Sequence, residues 1–333
     1  MGSIRISRFS ADFVEDAVIR FLKENDRNLS CLSDLDDTDK NAKSEDTVII
    51  AVGNPEYENQ EEVSKVLQFF DFNNEKWIPL MKISSNYGLD CCNILAIENY
   101  VLLFDPFDAT KTMVYNSKTG KLDDSKWNIP EHNKLVALEG RVYAIGFDGD
   151  DLSAKVLEDG DWKIGASMSM EREGASVVAH DGKIYVFGGE HAMEGWSEVQ
   201  TAEVYDPVED EWESIPPMFT ARKFAGAASL GGKIFVVGGL GAFSTIKTGE
   251  CYDPETKTWT RIPMMIKVSG CVKAVAIDGA LFVADIWSNG IERYSPNDNI
   301  WESVRVSEDF QIEALCSLRN KYLPKYKNVN NNK

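Results

Sequence analysis

DGKIYVFGG at residues 181–189 and GGKIFVVGG at residues 231–239 are nearly the same segment, placed 50 residues apart. Each opens on a turn pair, runs through five residues dominated by apolar side chains, and stops at two glycines. Asp-Gly closes a tight hairpin. A short apolar run between turn signals reads as a buried strand. The paired glycines end it where backbones crowd or φ turns positive. Fainter copies stand at TVIIAVG (47–53), ENYVLLFD (98–105), EGRVYAIG (139–146) and DGALFVAD (278–285). Another strand precedes the turn, as in GASVVAH (174–180) and AGAASL (225–230).

A second constant piece follows. VYDPVEDEW (204–212) and CYDPETKTW (251–259) each place an aromatic seven residues before a tryptophan. The same spacing joins Phe70 to Trp77 and Tyr294 to Trp301. Asp-Pro followed by polar residues is a turn between two strands. Each unit therefore holds four strands. Trp77, Trp127, Trp162, Trp212, Trp259 and Trp301 mark six units, at spacings of 50, 35, 50, 47 and 42 residues. Four-stranded units at this period predict the blades of a six-bladed antiparallel β-propeller.

Gly-Gly after a hydrophobic strand, then Tyr-Asp-Pro, then tryptophan, resembles the kelch repeat. The likeness extends over about 47–320 and is strongest at 181–259. Two units depart from it. One has Phe104-Asp105 in place of Gly-Gly and twelve residues from Tyr115 to Trp127. The other has Val156 in place of the tyrosine, six residues before Trp162. The chain is similar to the C-terminal domain of BTB–kelch proteins, and no BTB segment is read in these 333 residues. In those relatives the funnel holds peptide segments of proteins destined for ubiquitination, and the BTB part binds cullin-3. Only the binding half carries over.

TVIIAVG matches the second strand of a blade, so its innermost strand must come from elsewhere. The segment at 312–318 is expected to supply it by pairing with 47–52, because an open ring leaves two bare sheet edges. Residues 1–46 form an N-terminal extension. ADFVEDAVIRFLKEN (11–25) carries a helical apolar stripe, and the charged stretch after it reads as a linker. Residues 321–333 read as a basic, polar, disordered tail.

The formal net charge is −19, from 54 acidic and 35 basic residues. That balance argues against nucleic acid, which is bound through lysine and arginine, and against an acidic membrane surface. It favours protein or peptide partners, with basic segments if charge takes part. Six sparse cysteines and the lack of an apolar leader point to a reducing, cytoplasmic setting; a monomer is the expected state. His132, His180 and His191 show no metal spacing, and no HExxH, P-loop or Gly-x-Ser-x-Gly run is present. Asp148, Asp150 and Asp151 lack the EF-hand spacing. No cofactor, metal site or catalytic residue is expected.

The predicted function is therefore noncatalytic recognition of a protein or peptide. A cytoskeletal, actin-binding scaffold and a propeller enzyme with an unrecognised site are the alternatives. Recognition is expected where the loops after each Gly-Gly meet the segments leading into the innermost strands. Candidate contacts are the loop aromatics Tyr57, Trp196, Phe243 and Trp287, together with His191 and Lys267. Arg172 and Arg222 are also candidates. They recur at one phase, ten residues before Gly182 and Gly232, which favours a scaffold role.

Overall fold

The structure, a computed structural model, describes residues 47–55, 63–71, 76–84, 93–105, 108–125, 128–147, 151–191, 197–242, 244–267, 270–286, 290–304 and 310–319. The predicted helix at 11–25, the linker after it and the 321–333 tail lie outside these residues.

The strands assemble into six four-stranded antiparallel sheets and one small two-stranded ribbon. Blade two runs outward from Asn93–Ile97 through Tyr100–Asp105 and Asp108–Asn116 to Lys121–Asp124. Blade three runs from Lys134–Leu138 to Asp161–Ser167, and blade four from Ser176–His180 to Glu211–Ile215. Blade five runs from Gly226–Leu230 to Thr258–Ile262, and blade six from Val272–Ile277 to Ile300–Val304. Each innermost strand lies beside that of the next blade, all the way round. The molecule is a six-bladed β-propeller.

Blade one closes the ring. Its order from the axis outward is Phe310–Arg319, Thr47–Pro55, Val63–Asp71, Lys76–Ser84. The last strand pairs with the first in register, Val48 against Leu318, Ile50 against Cys316 and Val52 against Ala314. A shift at Val52/Gly53 then brings Gly53 opposite Ile312. The expected pairing is thus present and extends further at both ends.

The hydrophobic pattern follows from position in the blade. Second strands are covered on both faces, so they read as continuous apolar runs rather than alternation. Tyr100–Asp105 is buried throughout, and Ile184, Val186, Ile234, Val236, Leu281 and Val283 have no exposed surface. Outermost strands have one open face and alternate, as in Thr258–Ile262. Core clusters lie between blades, and one of them joins Ile49 and Ala51 to Val275, Ile277 and Phe282.

The aromatic–tryptophan spacing has a simple origin. Tyr205 and Trp212 are cross-strand partners, as are Tyr252 and Trp259, Tyr294 and Trp301, and Phe70 and Trp77. In blades four and five the turn between them is held by an aspartate that accepts two backbone amides. Asp206 takes Val208 and Glu209, and Asp253 takes Glu255 and Thr256. Four tryptophans also tie neighbouring blades together. The Nε1 atoms of Trp162, Trp212, Trp259 and Trp301 donate to the carbonyls of Asn128, Ala166, Pro216 and Pro263, at 2.7–2.9 Å. Each acceptor lies at or just past the outermost strand of the preceding blade.

Two sequence assignments shift. In blade two the cross-strand partner of Tyr115 is Leu122, seven residues on, and the strand ends at Asp124. Leu122 therefore holds the tryptophan position, and Trp127 falls outside the described residues. In blade three Leu157, rather than Val156, faces Trp162. The cause is a two-residue turn at Asp159-Gly160, where the other blades use four residues.

Candidate functional site

At the end of the ring where the innermost strands begin, the diglycines fasten the loops to the scaffold. Gly188 and Gly189 have φ of +64° and +92°, and Gly238 and Gly239 have +66° and +96°. A Cβ at Gly188 would lie 2.2 Å from the Arg222 carbonyl oxygen, and one at Gly239 would lie 2.6 Å from that of Lys223. No other residue fits both the backbone and the space.

The residue after each diglycine exchanges two amide hydrogen bonds with the segment entering the innermost strand. Glu190 and Glu173 pair at 2.8 and 3.0 Å, and Leu240 and Lys223 at 2.8 and 3.0 Å. Links also pass between blades, from the Gly189 amide to the Arg222 carbonyl and from the Gly239 amide to that of Gly270. Across blades four, five and six, loop roots and strand leads thus form a hydrogen-bonded collar along the channel mouth.

Arg172 and Arg222 lie beneath this collar. They are 4% and 1% exposed. Arg172 donates to Glu203 Oε1 through Nε and Nη2, and to the Gly188 and Thr201 carbonyls through Nη1. Arg222 reaches Glu250 Oε1 through Nη2 at 2.7 Å and the carbonyls of Gly238 and Thr248 through Nη1, while its Nε has no hydrogen-bond partner. The second oxygens of the carboxylates accept the amides of Ser169 and Phe219. Both guanidinium groups are spent on the scaffold and hold the loop roots from below. In blade six Glu292 occupies the same place and accepts the Ile266 and Lys267 amides.

His191 sits in the two-stranded ribbon formed by Glu190–His191 and Ser197–Glu198. It is half-buried, and its Nδ1 has no hydrogen-bond partner. The Lys267 side chain is exposed. Tyr57, Trp196, Phe243 and Trp287 lie outside the described residues. Of the eight candidate contacts, the structure thus places two on the loop face and two beneath it.

Sequence reading set Lys273 beside Lys267 on this face without a pattern, and missed Lys134 and Lys223 at the channel mouth itself. Lys223 pairs with Glu190 and Glu198 across the base of the ribbon. Lys134 and Lys273 stand on the innermost strands of blades three and six. The signal was available, because lysine at the start of an otherwise apolar innermost strand breaks the repeat. Among the described residues no group of three or more His, Cys, Asp or Glu side chains could hold a metal.

The Kelch motif family model matches residues 171–219 and 221–265, which span blades four and five with their leads. Those two matches hold the diglycine collar and both Arg–Glu pairs. Blades four and five of this six-bladed β-propeller carry kelch repeats. Its kelch repeats are similar to those of beta-scruin from Limulus polyphemus, 27% identical over 222 residues, covering 58% of this chain and 24% of that protein. Kelch-like protein terF from Aspergillus terreus is 32% identical over 126 residues, covering 33% of this chain and 28% of that protein. Human Kelch-like protein 23 is 28% identical over 171 residues, covering 48% and 30%. The kelch propeller spans less than a third of these curated relatives.

Proposed function

We propose that this kelch propeller is a noncatalytic protein- or peptide-binding module, acting through the face on which the post-diglycine loops and the strand leads meet. The observation that carries this reading is the collar. In blades four and five the loops are anchored by direct hydrogen bonds at matching positions, so contact residues can differ between blades while their positions stay fixed. The partner is a protein or peptide segment, and the chain acts as the recognition half of an adaptor. No described helix is long and apolar enough to cross a membrane.

Loop aromatics are the expected anchors, since aromatic side chains carry much of the energy at interfaces. Affinity capture from native extract with the wild type, Trp196→Ala and Trp287→Ala tests this. At least one variant should lose a partner that the wild type holds, with folding unchanged by circular dichroism. Retention of every specific partner by both variants would refute this placement of the surface.

A further inference from the structure

Two lysines at the channel mouth, Lys134 and Lys273, have no carboxylate partner among the described residues. Lys134 lies opposite Ile145 on the second strand of its blade, and Lys273 lies opposite Ala284. Asn93, Ser176 and Gly226 stand opposite Phe104, Phe187 and Val237 in the same way. By the repeat, all these partners stand just before the diglycine position, so in blade two Asp105, rather than Phe104, holds the place of the first glycine. The five innermost-strand residues therefore form one layer around the channel. Lys134 and Lys273 belong to blades three and six, which face each other across a six-bladed ring.

Several lysines elsewhere find carboxylates. Lys65 pairs with Glu313, Lys155 with Asp151, Lys183 with Asp206 and Lys233 with Asp253. In a chain with 54 acidic and 35 basic residues, that is the expected outcome. Lys273 instead donates to a neutral acceptor, Asn93 Oδ1, at 3.1 Å. Lys134 has no hydrogen-bond or ion-pair partner among the described residues. The two ammonium groups lie close enough to repel, and Cys271 is the other titratable group beside both. Burial, then the charge of Lys134, pushes the Lys273 amine down to about 7. Burial lowers Lys134 as well. Burial pushes the Cys271 thiol up, so it is not the missing anion.

Two like charges held together in a partly desolvated channel destabilise the free protein, and an anion placed between them removes that cost. Both side chains keep some exposed surface, so a ligand can reach them. The small residues Ser176 and Gly226, in the blades between, leave room in the layer. We propose that the channel mouth is an oxyanion site, in which Lys134 and Lys273 bind a carboxylate or phosphate group from either side. The group could be a free anion or an acidic side chain of a bound peptide, and the peptide source rests on the recognition role proposed above.

Thermal melts and calorimetric titrations of the full chain, in chloride buffer at fixed ionic strength, separate the possibilities. Inorganic phosphate and an octaglutamate peptide serve as probes. The proteins are the wild type, Lys134→Met, Lys273→Met and the surface control Lys257→Met. Phosphate or peptide should raise the wild-type midpoint and bind about tenfold more weakly to either channel variant. The control should behave like the wild type. A response to phosphate alone identifies a free anion as the ligand. A peptide response that the channel variants lose identifies an acidic side chain. Each channel variant removes one of two repelling charges, so both are expected to fold. Should either fail to fold, protection of wild-type Lys273 from acetic anhydride by phosphate or peptide gives an independent readout. A wild type that responds to neither probe and shows no protection would overturn the site. So would binding that is equal in all four proteins. Neither result bears on partner capture through the loops.

Discussion

Removal of residues 309–333 is expected to abolish cooperative folding of the whole ring rather than trim a tail. The deleted strand is the innermost strand of blade one. It buries Phe310, Ile312, Ala314, Leu315, Cys316 and Leu318, each at 8% exposure or less. Its loss would strip one edge of Thr47–Pro55 of its hydrogen bonds and open the core clusters on both sides of blade one. Blades two and six would then each lack a neighbour. A milder variant, Ile312→Ala, should cost about 2–5 kcal/mol, as for other fully buried large-to-small changes. Gly53→Val should also be strongly destabilising, because an added Cβ would lie 1.9 Å from the Gln311 carbonyl oxygen in the paired strand. Urea unfolding followed by tryptophan fluorescence checks all three. A truncated chain that unfolds at the wild-type midpoint would contradict the closure.

Arg222→Met should be the most damaging single substitution on the loop side of the ring. It removes the cation from a pair in which both side chains are 1% exposed or less. Glu250 would be left buried with the Phe219 amide, and the carbonyls of Gly238 and Thr248 would each lose a donor. Breaking a buried ion pair from one side costs about 3–5 kcal/mol, much of it from the abandoned charge. Adding Glu250→Leu removes that charge, so the double variant should recover a large part of the loss. The exposed pair of Lys257 and Glu213 gives the contrast. Lys257→Ala should change stability by less than about 1 kcal/mol. Urea midpoints of the single, double and control variants measure the coupling. A tolerated Arg222→Met, with a midpoint near that of Lys257→Ala, would contradict the buried-pair reading.

The scaffold was legible where local chemistry repeats. Diglycines, Asp-Pro turns and tyrosine–tryptophan pairs each encode a contact made within one hairpin or with the adjoining blade, so they recur with the blade. The closing strand was legible from an absence, because 47–53 reads as a second strand that lacks a first. Trp127 misled because counting tryptophans ignores register. Leu122 occupies the cross-strand position, and a leucine there leaves no sequence mark. Leu157 was hidden by a turn two residues shorter than its counterparts. Arg172 and Arg222 showed their common phase, and that phase is explained by the carbonyls of the diglycine strand beside them. Lys134 and Lys273 went unread as a pair because they are 139 positions apart in the chain and meet only when the ring closes.

Recognition is proposed to use the loop face of the ring. A photo-reactive amino acid at position 243, in the loop after the second diglycine, should crosslink the captured partner. The same group at position 208 should not. Val208 is 81% exposed in the turn between the two outer strands of blade four, at the opposite end of the blade. Crosslinking from 243 and not from 208 is the predicted result. Crosslinking from 208 alone, or equally from both, would contradict the account.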